Sequence, residues 1–386
     1  MHGYTSCMGS QTQTNTILLA DDMVVLGGQM DQQHEVSTSA YVQVQNTFKS
    51  IIRKLESEDC TIQDIVKIVV YYQHDKCDER TLSEQVGNCL KVGCTAVLTL
   101  VPVTRVGEDN EWVAIDVIAF RDADPSPVVV AGLAPPGPNL CHGVRCGAFT
   151  FVGGQSSQNE RWDVLYPSDL VSQNQQTIEH LRIVLDAIGL DEKDIVKANS
   201  WRAFPPTHAA YEAAARGRFD FFGPAKPAVT GITVPGLDEL DQLIRIDVWA
   251  IDPTLTRHYI QPNDHWGWKT TTPYSHGLKV GPWLFIGGQA ALDASCQVTS
   301  PRDGRAQMRE TMNFVHNVIK GSNLSNPYIG KANAYITRDA EYGNVTTDFV
   351  NLIENGTWTS VELNQLAYDH QMVEVEAIVC EKLLPE

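Results

Sequence analysis

The tripeptide Gly-Gly-Gln closes three short apolar runs in this chain of 386 residues: VVLGGQ at 24–29, FVGGQ at 151–155 and LFIGGQ at 284–289. Each run reads as a strand, and the segment after it has the same plan in all three places. YVQVQNTFKSIIRKLESEDCTIQDIVKIVVYY (41–72) has apolar residues at helical spacing, a polar break, then a β-branched run. NQQTIEHLRIVLDAIGLDEKDIVKANSW (174–201) keeps that order, with Gly189 where a helix C-cap is expected. AQMRETMNFVHNVIKGSNLSNPYIGKANAYI (306–336) repeats it, with Gly321 at the break. Lys67, Lys197 and Lys331 open the strands after the break.

After a second helical stretch, each copy ends in an alternating run: WVAIDVIAF (112–120), LIRIDVWAI (243–251) and MVEVEAIV (372–379). Alternation with period two marks a strand with one buried face. Each copy therefore reads strand–strand–helix–strand–helix–strand–strand, an α+β unit of mixed sheet and two helices. The Pro-rich or irregular stretches 121–138 and 252–273 read as linkers. The expected units are 1–124, 125–255 and 256–386.

Composition narrows the function. With 29 Lys plus Arg against 47 Asp plus Glu, the net charge is −18, which opposes binding to a phosphate backbone. No stretch approaches the ~20 apolar residues of a membrane span, and the polar N-terminus has no apolar core of a signal peptide. The 9 Cys are scattered without a framework and suit free thiols in a reducing, cytoplasmic setting. No Walker A, HExxH, G-x-S-x-G or dinucleotide fingerprint is present. CHGVRC (141–146) has the wrong gap for zinc, so no metal is expected.

The ordered set of motifs resembles the Rid family (YjgF/YER057c/UK114), as three tandem copies over nearly the whole chain. PYSHGLKVGPWLFIGGQ (273–289), MVEVEAIV, GPNLCHGVRCGAFTFVGGQ (137–155) and DIVK at 64–67 and 194–197 carry the resemblance. It implies three units of the chorismate-mutase-like YjgF fold forming a single-chain pseudo-trimer, itself a monomer or the subunit of a higher homo-oligomer. A ligand cleft is implied between units. The implied activity is cofactor-free hydrolysis of reactive imines and enamines, with an Arg clamping the substrate carboxylate and a Glu of the last strand moving protons.

The expected position of that Arg holds Ala96, Val229 and Trp358, which argues against the standard deaminase of 2-imino acids. Arg202 and Arg338, just beyond a strand, are candidates to reach a cleft from elsewhere. The closing strands keep an acid at Asp116, Asp247 and Glu376, where burial would raise its pKa towards acid–base range. The third unit is the fullest copy: Tyr274 matches the family's site tyrosine (Asn139 in the second unit). His276 lies two residues on, and Ser360 matches a position usually small, with Leu98 and Gly231 in the other units. The expected catalytic set is Glu376, Tyr274, His276 and Ser360. The expected binding set is Trp358, Gly287, Gly288, Asp247, Asp116, Arg202 and Arg338.

Trp358 would offer either a flat platform for an aromatic or cyclic ligand or a hydrophobic plug. HWGWK (265–269) is a candidate cap on a cleft. The family's usual Ser-Gly-Gln has become Gly-Gly-Gln at Gly27, Gly153 and Gly287. These glycines, with Gln29, Gln155 and Gln289 tying down the bend, are expected to floor the clefts. The leading expectation is a hydrolase or deaminase acting on a C–N bond of a small metabolite. The alternatives are a non-catalytic binding or chaperone-like protein and a chorismatase-like hydrolase or lyase. RNA cleavage is opposed by the charge.

Overall fold

The computed structural model describes residues 16–31, 39–93, 96–107, 110–122, 124–203, 208–263, 265–268, 272–353 and 356–382. They form three six-stranded sheets, one for each copy of the sequence pattern. Four strands recur in the same order in each sheet. A hairpin strand (Met23–Gln29, Phe149–Ser156, Trp283–Gln289) pairs with the closing strand (Val113–Phe120, Ile244–Ile251, Val373–Glu381). The closing strand pairs with an inner strand (Ile65–Gln73, Ile195–Ala203, Pro327–Thr337). The inner strand pairs in parallel with its unit's edge strand (Ala96–Val103, Ala228–Val234, Thr357–Leu363), the first of which also pairs with the two-residue strand Leu140–Cys141. The short strands Ser126–Val128 and Arg257–Ile260, within the stretches read as linkers, pair into the second and third sheets.

Each sequence pattern yields two helices, which cover one face of its sheet. In Ala40–Glu56, Val44, Phe48, Ile51 and Leu55 make the buried stripe and join the first sheet's core. The N-caps of the helices Glu79–Cys89, Leu170–Ile188 and Gly304–Gly321 are Asp78, Asp169 and Asp303, each accepting from a free amide of the first turn. Gly189 is the expected left-handed C-cap, with φ 82°. Gly321 instead remains helical, and Ser322 caps that helix in the αR conformation.

The other faces of the three sheets meet one another. At one end Phe149, Phe151, Trp249, Trp283 and Phe285 pack in a shared cluster. At the other, Tyr71, Trp201, Tyr335 and Val361 pack with Val101 and Ile232. Between these apolar clusters lies a ring of buried ion pairs, each joining two units. Lys67 meets Asp247 at 2.9 Å, Lys197 meets Glu376 at 2.5 Å and Lys331 meets Asp116 at 2.6 Å. The inner-strand register shifts immediately before each of these lysines, so a bulge turns all three side chains to the shared interior. A cavity of about 40 Å³ lies among them, bounded by Tyr71 and Trp201 on one side and Ile118 and Trp249 on the other.

Asp116, Asp247 and Glu376, expected to line clefts between units, all border this central cavity. They sit on the common axis, where each unit's lysine finds the next unit's acid. Glu376 is the most heavily held: besides Lys197 it accepts from Asn199, Asn333 and Tyr335. Breaking one such pair strands a charge where water cannot reach it. Lys331→Met should lower stability by about 3–5 kcal/mol, read as a lower urea midpoint. Adding Asp116→Leu should recover part of that loss.

Candidate functional site

Each Gly-Gly-Gln is a bulge at the end of its hairpin strand, where the register with the closing strand shifts. The Gln side chain folds back to the carbonyl of the first glycine, at 2.7 Å for Gln29, 3.1 Å for Gln155 and 2.9 Å for Gln289. The first glycine abuts the edge strand of the neighbouring unit. A Cβ on Gly287 would lie 2.7 Å from the Val229 carbonyl oxygen, one on Gly153 2.7 Å from that of Leu98, and one on Gly27 3.0 Å from that of Trp358. A side chain there would force the units apart. The triplets do floor the junctions between units, as the sequence suggests.

A junction therefore takes its bend and closing strand from one unit and its edge strand from the unit before. This divides the residues expected to work together in the third unit. Tyr274 and His276 stand at the junction of units two and three. Tyr274 docks on the second unit's helix, accepting from Arg218 Nε at 3.3 Å and meeting Phe222 edge-on. Trp358 and Ser360 stand at the junction of units three and one. The Trp358 ring packs edge-on against Phe349, and the Ser360 hydroxyl lies 2.9 Å from that of Tyr342. Arg338 is exposed on a turn after its strand. The register also moves the first unit's counterparts by two: Leu98, not Ala96, aligns with Val229 and Trp358, and Leu100 with Gly231 and Ser360.

The proton chemistry changes as well. Although burial pushes the Glu376 carboxyl up, Lys197 beside it prevails and holds it down at about 2. It stays a carboxylate. His276 is buried and its Nε2 donates to the Trp266 carbonyl at 2.9 Å. Burial, with His265 nearby, pushes it down to about 3, so the ring is neutral.

The titratable group that sequence reasoning passes over is Glu374, two residues before Glu376 in the same quoted run. Its Oε1 stands directly over Gly288, where a Cβ would come within 2.0 Å, so any side chain there would displace the carboxyl. Its Oε2 accepts from Gln371 Nε2 at 3.1 Å. Burial pushes Glu374 up to about 7, against the Gln371 hydrogen bond and the field of Arg202 from the second unit. Arg202 is buried and its Nη2 donates to the Gly231 carbonyl at 2.8 Å, so its guanidinium lies across the edge strand at the small Gly231.

The other two junctions carry different residues at the same places. Arg245 replaces Glu374 between units one and two. Its Nη1 donates to Glu79 Oε1 at 2.8 Å and to the Leu100 carbonyl, and its Nη2 donates to Glu79 Oε2. The polarity of the pair is thus reversed. Beside it lies a cavity of about 70 Å³ lined by Pro136, His142, Gln155 and His180. Between units three and one, Ala114 and Ile336 hold the corresponding places, and both are buried among apolar neighbours. His142 accepts from the Val130 amide and donates to the Ala134 carbonyl, while Cys141 and Cys146 are buried and form no disulfide. Among the described residues no three His, Cys, Asp or Glu side chains gather closely enough to hold a metal ion. No helix among them is long and apolar enough to cross a membrane.

The family model described as Endoribonuclease L-PSP matches residues 133–252 and 268–381. The chain belongs to this family, the Rid family that the motifs suggest. A RutC family protein of Pyrococcus horikoshii is 26% identical over 111 residues, covering 28% of this chain and 82% of the relative. Among solved structures, a chorismatase at 13% identity covers 82% of this chain and 93% of its own, with a TM-score of 0.55. Yeast Mmf1, at 18% identity, covers 33% of this chain and 99% of its own, with a TM-score of 0.30. The family model covers the second and third units, whereas the first is recognised by its sheet.

A carboxyl whose pKa is raised on folding binds its proton more tightly in the native state than in the unfolded one. Its burden on stability is absent below the unfolded value of 4.5 and complete above about 7. Glu374→Gln should therefore be more stable than the parent at pH 8, by up to roughly 3 kcal/mol. Urea unfolding at pH 5 should show the difference shrinking below about 1 kcal/mol.

Proposed function

We propose that the protein is a cofactor-free hydrolase or deaminase acting on the C–N bond of a small anionic imine or enamine. The site of this reading is the junction of units two and three. The observation that carries it is Glu374, a buried carboxyl brought to about 7 over a glycine floor, in the field of Arg202 from the second unit. A group titrating there is shared between acid and base at neutral pH, as a reaction that first gives and then takes a proton requires. The carboxylic acid protonates the substrate at nitrogen, or at the enamine carbon. The resulting carboxylate accepts a proton from water as its oxygen adds to the electrophilic carbon. Collapse of that adduct expels ammonia and leaves a carbonyl compound.

Arg202 supports an anionic substrate. The edge strand lacks the guanidinium that the family resemblance implies, and the adjacent inner strand of the same unit brings one to Gly231 instead. A planar fork suits a carboxylate, and replacing it weakens binding before chemistry. The family's Endoribonuclease name points to RNA, but the net charge of −18 disfavours a polyanion. The likeness to a chorismatase is one of fold. A second reading, a non-catalytic binding protein, is favoured by the junction of units three and one, whose Ala114 and Ile336 offer nothing ionisable.

The test is ammonia and 2-oxo acid release from 2-imino acids generated in place from amino acids. Glu374→Gln should lower kcat by about 100-fold or more, and Arg202→Ala should act mainly by raising KM. The rate of the parent should turn on an ionisation near pH 7. Unchanged release by Glu374→Gln would favour the binding reading.

A further inference from the structure

The chain contains its own control for the size of the site. His142 and His276 hold equivalent places: each backbone carbonyl accepts from the first glycine of its triplet, Gly153 or Gly287, at 3.0 Å. Each ring also donates from Nε2, at 2.9 Å, to the carbonyl of a strap residue crossing the junction, Ala134 or Trp266. These two hydrogen bonds fix which residues of the straps correspond. Between units one and two the strap runs Ala134-Pro135-Pro136, and the cavity of about 70 Å³ opens beneath it. Between units two and three it runs Trp266-Gly267-Trp268.

The indoles occupy the corresponding space. Trp268 stacks on His276 at 4.5 Å with the planes 17° apart, Trp266 meets the same ring edge-on at 4.5 Å, and the two indoles are 5.2 Å from each other. His265 adds a third wall, 4.2 Å from His276, and its Nε2 bonds Gln289 Oε1 at 2.7 Å. Trp266 is packed against Ala290 and Leu292, which makes it a fixed part of the structure, whereas Trp268 is half-buried. The same fold thus sets Ala and Pro over the cavity between units one and two, and two Trp at the corresponding place between units two and three.

We propose that Trp266 and Trp268 are specificity-determining residues that restrict the site at Glu374 to substrates with a short side chain beside the carboxylate. This rests on the function proposed above for that junction. The glycine floor lets the Glu374 carboxyl lie directly against the backbone at Gly288. The strap decides how much more of a molecule can enter behind the reacting atoms. A small flat group can lie along the indole faces, while a bulky one meets atoms that cannot withdraw without losing the stack on His276.

The decisive measurement compares a short and a bulky substrate, the imines derived from alanine and phenylalanine. Trp268→Ala should raise the ratio of kcat/KM for the bulky over the short imine by 10-fold or more. Ala134→Trp, made in the other chamber, should leave that ratio within about 2-fold. Binding of pyruvate and phenylpyruvate, followed by calorimetry, gives a readout independent of turnover. Trp268→Ala should tighten phenylpyruvate at least 10-fold relative to pyruvate. Trp268→Leu, a smaller loss of packing, should move both readouts in the same direction. If the parent and its variants release no ammonia from any imine but phenylpyruvate binding improves as stated, the assignment of the strap holds and the catalytic reading fails. If turnover is intact and neither ratio moves, the strap does not set specificity and the catalytic reading stands.

Discussion

Three lysines and three carboxylates, buried where the sheets meet, set the arrangement on which the rest depends. A buried charge is tolerated only when paired and hydrogen-bonded. Each lysine here can find its acid only on the next unit: Lys67 on the second, Lys197 on the third, Lys331 on the first. Apolar packing above and below would accept many small rotations of one sheet against another. The ion pairs accept far fewer, and their cyclic order makes each hairpin bend face the preceding unit's edge strand. Every junction inherits its geometry from that layer.

With the frame fixed in this way, the junctions were free to diverge. The position two residues before the axial acid is Ala114, Arg245 or Glu374, and the preceding unit's inner strand carries Ile336, Tyr72 or Arg202 at its matching place, five residues after the lysine. At these places one junction has only apolar side chains, one pairs Arg245 with Glu79, and one sets Glu374 in the field of Arg202. The alternation of a closing strand brings both residues i and i+2 to the shared interior. One carboxyl is neutralised on the axis, where Lys197 holds it ionised. The other, about one residue pair further along, has burial as its dominant influence. Two glutamates separated by a single valine thus differ in pKa from about 2 to about 7.

The repeat, the order of elements, the helix cap at Gly189 and the floor made by Gly-Gly-Gln are all legible in the sequence, because each is a local property with its own periodicity or backbone requirement. Glu374 and Glu376 both stand in one alternating run, so the written chain does not show which of them pairs with a lysine and which is pushed up by burial. Tyr274, His276 and Ser360 fall together in the sequence because one copy contains them all. A sheet has two ends, however, and its bend and its edge strand serve different junctions. Arg202 is visible only as a charge beyond a strand, and its partner across the junction lies 172 residues away.

The sequence by itself determined that one α+β unit is written three times, that glycine must end each hairpin strand, and that lysine and acid recur at fixed places in every copy. Tertiary structure decided which acid each lysine neutralises, which carboxyl is left to titrate, and which residues of different copies share a junction. The reason is physical. Periodicity and backbone conformation are properties of neighbours along the chain, while a pKa and the width of a chamber depend on charges and side chains brought together from distant parts of it.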